Sequence, residues 1–147
     1  MTERRLTAEE RQLVLARACG CCEYCRSQER FSTQTLSIEH IQPRSQGGRT
    51  IPANLALACQ GCNNHKYNKM RGIDPATGEL VPLYHPRKHR WSDHFAWNED
   101  RTLILGLTPT GLATIATLHL NREGVVNLRR ALYALGKHPP PESTERH

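Results

Sequence analysis

The residues that could do chemistry are concentrated between Ile38 and Lys69, where the chain reads IEHIQPRSQGG and, further on, NLALACQGCNNHKYNK. A carboxylate and an imidazole stand side by side at Glu39 and His40. An amide follows at Asn54, and a second, Asn63, comes directly after the pair Cys59 and Cys62. Another Cys-x-x-Cys pair, Cys22 and Cys25, lies upstream. Four thiolates in two such pairs suit a tetrahedral Zn2+ with no open position, which makes the metal structural. Carboxylate and amide oxygens are hard ligands and favour Mg2+ or Mn2+ over zinc. A neutral imidazole, with an ordinary pKa of ~6.5, can take a proton from water at physiological pH. The combination implies two metals with different jobs, one holding the frame and one beside a histidine. Cys19 and Cys22 also make a Cys-x-x-Cys pair, so the spacing alone leaves the upstream pair open.

These residues need a scaffold. Thr7 and Glu10 form a capping box, which predicts a helix from Ala8 to Ala18 with Leu13 and Val14 inward and Arg11 and Arg17 outward, ended by Gly20. Thr33 to Ile41 is rich in β-branched and apolar residues and reads as a strand. Pro43 and Gly47-Gly48 force a loop, and Leu55 to Ala58 reads as the second strand of a hairpin. A connecting loop that long suggests a function of its own. From Gln60 the composition turns helical to about Arg71, with Gly72 as the stop. Strand, strand and helix make a ββα unit.

The order and spacing of these elements resemble the HNH endonucleases over roughly Cys22 to Gly72. The resemblance implies an α+β fold, a small ββα-metal unit with a four-cysteine structural zinc. It implies that Cys22, Cys25, Cys59 and Cys62 hold the zinc; Cys19 is read as a small residue on the inner face of the first helix and Cys21 as a spare thiol. It places His40 as general base and Asn54 as the brace of the long loop. Glu39 and Asn63 are the expected ligands of the catalytic cation, with Glu39 standing where the family usually has Asp or His. Tyr67 occupies a position where some members carry a further histidine, which argues against a three-histidine site. Arg44 and Arg49 on the loop, and Lys66 and Lys69 on the helix, are the candidate phosphate contacts. His65 points about 200° around the helix from Asn63 and is not expected to ligate.

The remainder bounds these readings. With 147 residues the chain is long enough for one domain, divided here into an N-terminal helix (1–21), a zinc-stapled core (22–72), an extension (73–138) and a disordered tail (139–147). Hydrophobic residues make up 37% and aromatics 5%, so the core should be aliphatic and helped by metal. The net charge of +6 favours a polyanionic partner. No apolar run approaches a membrane span, and MTERRLTAEER lacks the apolar stretch of a signal peptide. The cysteine pattern fits a reducing compartment, so a cytoplasmic protein is expected.

In the extension, 74–78 reads as a turn and Leu80 to Tyr84 as extended. Phe95 to Asn98 and Thr102 to Leu107 read as a hairpin. Leu112 to Leu120 reads as a helix, and Asn121 caps a last helix whose Val125, Leu128, Leu132 and Leu135 recur at helical spacing. HPRKHRWSDHF is basic with interleaved aromatics and could follow a DNA backbone; Trp91, Phe95 and Trp97 are read as core. His85 and His94 could reach the site from outside the ββα unit. The expected function is a metal-dependent endonuclease that nicks DNA, with double-strand cleavage needing a homodimer or two events. The rivals are a nucleic-acid-binding zinc module without catalysis and a toxin-like nuclease paired with an inhibitor.

Overall fold

The structure, a computed structural model, describes residues 5–141. The first helix, α1 (Ala8–Arg17), starts at the expected capping box: Glu10 N–H donates to Thr7 Oγ1 at 3.1 Å and Thr7 N–H to the Glu10 carboxylate at 2.9 Å. Val14 and Ala18, four residues apart, share the buried face and pack on Leu55 and Leu57. Leu13, expected inward, lies outside that stripe and is exposed. Arg17, expected outward, turns back and donates to the carbonyls of Pro52 (2.7 Å) and Leu55, tying α1 to the start of the second strand.

The hairpin pairs β1 (Ser37–His40) with β2 (Leu55–Ala58), antiparallel, with Glu39 opposite Ala56 and His40 opposite Leu55. The first strand is shorter than the expected Thr33–Ile41. Its partner has four residues, all buried, and a ladder extends no further than its partner. The helix α2 (Gln60–Lys66) follows at once. It ends at Tyr67, whose φ of 51° leaves the helical region, rather than at Arg71 as expected. The residues beyond it form β3 (Arg71–Ile73), which pairs with β4 (Leu80–Pro82). Gly72 is no helix stop but a packing site, since a Cβ there would strike Thr117 and Leu83. Asp74 holds the expected turn by accepting from Ala76 N–H and the Thr77 hydroxyl at 2.9 and 3.0 Å.

The short helix α3 (Trp91–His94) leads into a second hairpin, β5 (Phe95–Trp97) with β6 (Ile104–Gly106), and then α4 (Pro109–Leu118). Asn121 does not cap the last helix. Its side-chain amide pairs with both backbone groups of Ile104 at 2.8 and 2.9 Å, as a strand neighbour would, and Arg122 takes the capping position of α5 (Glu123–Ala134). Only Leu132 of the expected apolar row on α5 is buried; Leu135 is exposed, and the residue that goes inside is Arg129.

One apolar core joins the two halves of the chain: Cys22, Tyr24, Ala58 and Cys62 pack in the same cluster as Tyr84, Trp91, Phe95 and Leu118. Trp91 and Phe95 are core, as expected, while Trp97 is half-buried against it. The tail was expected to begin at 139, yet His138 and Pro140 are buried; its remaining residues, 142–147, lie outside the described part, as do 1–4. Among the described residues no helix is long and apolar enough to cross a membrane.

Candidate functional site

Two tight segments meet behind the hairpin. Cys22 and Cys25 sit on a turn closed by Arg26 N–H to Cys22 O at 3.0 Å, while Cys59 and Cys62 flank the first turn of α2. Their four Sγ atoms lie within 4.8 Å of one another, with Cys25 and Cys59 3.6 Å apart, and all four residues are buried. Tetrahedral Zn2+ with bonds of ~2.3 Å requires sulfurs about 3.8 Å apart, so the cluster fits that ion. Cys19, expected on the inner face of the first helix, instead lies beyond α1 with a φ of 54° and is exposed; Cys21 is buried, and neither joins the cluster.

The cluster has two cationic neighbours that the sequence did not single out. Arg122 donates to Cys59 Sγ at 3.1 Å and to Cys62 Sγ at 3.6 Å. Burial opposes its charge, but the Cys62 and Cys25 thiolates outweigh that and raise its pKa. Gly61 makes room: a Cβ there would lie 2.7 Å from the guanidinium carbon. Arg129, 3% exposed, reaches Cys25 O at 3.2 Å, Leu120 O at 2.7 Å and Thr102 O at 3.0 Å. Four thiolates on one Zn2+ would leave a surplus of negative charge, which these arginines would offset. Neither stands out in the sequence, because α5 also carries Glu123, Asn127 and Arg130.

From the cysteine turn a buried polar chain runs to the hairpin. The Tyr24 hydroxyl donates to Glu39, and the Lys66 ammonium lies 3.4 Å from the other Glu39 oxygen and donates to Ile41 O at 2.9 Å. Burial raises the pKa of Glu39, while Lys66 and Tyr24 pull it down. The arrangement bears on two expectations. Successive strand residues face opposite sides, so Glu39 points inward, away from the face of His40. Both its oxygens are engaged, and a dication there would have to displace Lys66. Lys66 is not on an open helix face either; it is 1% exposed.

The loop that carries His40 is held from several sides. His40 Nε2 lies 2.8 Å from the Thr50 hydroxyl. Asn54, 9% exposed, accepts from Gln42 N–H at 2.8 Å and donates to Gln42 O (3.1 Å) and Arg49 O (2.9 Å). One amide thus clamps both ends of the loop, the geometry a brace requires. Gly47 takes a left-handed φ of 87°, and Gly48 lies against the backbone of Gln42 and Pro43, where no side chain fits.

Residues 22–69 match the family model of the HNH endonucleases. The match covers about a third of the chain and runs from the first zinc cysteine through α2. No curated protein matches the chain. No solved structure matches it either. Within the HNH segment, Asn63 is half-buried on α2, and its side chain makes no hydrogen bond among the described residues. The expected cation pair is therefore not assembled: Asn63 is available and Glu39 is committed. Arg44 and Arg49 are exposed on the loop, and Lys69 is exposed beyond α2. His65 is exposed and stacks on His119, with ring centres 4.3 Å apart. Outside the segment, His94 bonds the Thr108 hydroxyl at 2.6 Å and stacks on His89. Thr50 and Tyr24 were missed; each acts through a partner distant in sequence, and neither has a motif of its own.

Proposed function

We propose that the chain is an endonuclease of HNH type acting on DNA, with His40 as general base. The observation that supports it most is the placement of His40 at the end of β1, its ring fixed by Thr50 on a loop clamped by Asn54. His40 takes the proton from the attacking water; a positioned base of this kind contributes roughly 10²–10⁴-fold. Thr50 fixes the ring orientation, and Asn54 fixes the loop. A divalent cation, when bound, would supply charge for the pentavalent phosphate and the leaving oxygen. Asn63 is the residue of this chain that offers it a hard oxygen. Mg2+ or Mn2+ fits that donor, and Glu39 joins only by leaving Lys66.

The exposed Arg44, Arg49 and Lys69 supply charge for the DNA backbone, in line with the net charge of +6. Zinc at Cys22, Cys25, Cys59 and Cys62 holds the frame. The chain is read as a single domain, with α1 docked on 22–138, a reading supported by the apolar core that 22–62 and 83–120 share. Four paired thiols with no disulfide suit the reducing cytoplasm. A single site nicks one strand, so a double-strand break requires a second copy or a second event.

Supercoiled-plasmid cleavage with Mg2+ or Mn2+, wild type beside His40→Ala, tests the reading. Nicking by wild type and none by the variant is expected. Binding by both proteins with no cutting by either would instead make the chain a nucleic-acid-binding zinc module.

A further inference from the structure

We propose that the cavity over Lys66 is a subsite for a backbone phosphate of the nucleic acid, bound by the Nε2–H groups of His85 and His89 together with the Lys88 ammonium. The inference rests on the nucleic-acid reading above and extends it to a part of the chain beyond the HNH segment.

The cavity has a volume of about 230 Å³ and begins at Ile41, the residue after His40. Lys66 and Leu83 contribute to its wall, and the turn from His85 to His89 supplies the polar groups. Among the described residues no carboxylate lines it. The turn is closed by Lys88 and His89 N–H groups donating to His85 O at 3.0 and 2.9 Å. Its two imidazoles have fixed roles. The backbone N–H of Arg87 donates to His85 Nδ1 at 3.2 Å, and that of His85 donates to His89 Nδ1 at 3.0 Å. A backbone N–H can only donate, so both Nδ1 atoms are lone-pair acceptors and each neutral ring carries its proton on Nε2.

That assignment decides the ligand class. A metal ion needs lone pairs, and these rings offer hydrogens. An anion with several acceptor oxygens needs what they offer. Burial, with the Lys88 charge next, pushes the His85 pKa down to about 4, so the ring stays neutral and keeps this tautomer at physiological pH. Lys66 lies in the wall with its charge already paired to Glu39. Its ammonium has three donors, of which Ile41 O and Glu39 take two. A phosphodiester in this cavity would lie beside Ile41, the residue that follows the general base in the chain.

The test uses the zinc-loaded full chain carrying His40→Ala, so that no strand is cut. The ¹⁵N shifts of the histidine rings are followed while inorganic phosphate, then a short oligodeoxynucleotide, then Mn2+ is added. The Nε2 resonances of His85 and His89 should move saturably with phosphate and with the oligonucleotide, keeping the Nε2–H tautomer. Lys88→Gln should weaken phosphate binding about tenfold, the scale of one hydrogen bond to a charged group. His89→Phe, which keeps a ring against Tyr84 and His94, should lose most of it, with unchanged zinc content as the check on folding. Movement with phosphate but not with the oligonucleotide overturns the backbone assignment. Movement with Mn2+ alone overturns the anion assignment. Wild type that cuts DNA while both rings stay still sinks the subsite and leaves the nuclease reading intact. Rings that respond to the oligonucleotide in a protein whose wild type cuts nothing do the reverse.

Discussion

The cysteine cluster and the His40 loop lie on either side of one short hairpin and are built on opposite principles. At the cluster every reactive atom is buried, and two arginines from the end of the chain close over it. At the loop the backbone is fixed by one buried amide and two glycines, while Arg44 and Arg49 stay exposed. The first region holds the frame by removing its donors from solvent. The second presents its chemistry by fixing backbone and leaving side chains outside. The chain Tyr24–Glu39–Lys66 joins them, so the frame positions the strand that carries His40.

If that division holds, the largest effect comes from the metal. Apparent binding energies of structural zinc in small domains are on the order of 10–16 kcal/mol, comparable to the whole stability of a domain. Strong chelation, or Cys62→Ser, should abolish the cooperative thermal transition followed by circular dichroism. A variant that melts like wild type without zinc would dissolve the comparison. His40→Ala should do the opposite, cutting the rate of plasmid nicking by roughly 10²–10⁴-fold while leaving melting and zinc content unchanged.

Arg122→Ala probes the outer layer of the cluster. Removing a group that hydrogen-bonds a metal ligand typically costs about 10–100-fold in metal affinity. Zinc transfer to a colorimetric chelator should speed up accordingly, with cleavage by the loaded protein little changed. Asn54→Ala probes the brace. It strips three hydrogen bonds from a residue that is 9% exposed, and a loss of about 1–3 kcal/mol is expected, read as faster amide exchange at 41–50 and slower nicking. Equal exchange in variant and wild type would show that the glycines hold the loop alone.

The zinc frame was legible because thiolate pairs announce such a site and the HNH resemblance chose Cys22 and Cys25 where spacing left Cys19 open, and β2 was legible because an apolar run between turn signals has few alternatives. What the sequence hid was set by distant partners. Glu39 looked like a ligand because it adjoins His40. The hairpin alternation sends it inward to Tyr24 and Lys66, 15 and 27 positions away. Helical composition continued past Lys66, but Tyr67 takes a positive φ of 51° that ends the helix, and the chain turns before Arg71 enters β3. On α5 the apolar row suggested one buried face. The unpaired carbonyls of Thr102, Leu120 and Cys25 drew Arg129 inside instead. Sequence periodicity reports apolar faces and is silent about a buried cation whose acceptors come from three other segments.

The smallest effect separates the extension from both regions. His85 has a folded pKa of about 4 against an ordinary 6.5, through burial and then the nearby Lys88 charge. The unfolded chain therefore takes up a proton between these values that the folded chain refuses. The resulting stability is complete above pH 6.5 and is lost as pH falls toward 4. Acid also protonates the cysteine thiolates and expels zinc, so a single melting curve mixes the two. The difference between wild type and His85→Gln removes the zinc contribution, which both share. The gap in melting temperature should close as pH falls from 6.5 to 4. A gap that stays constant with pH would mean that His85 contributes packing alone.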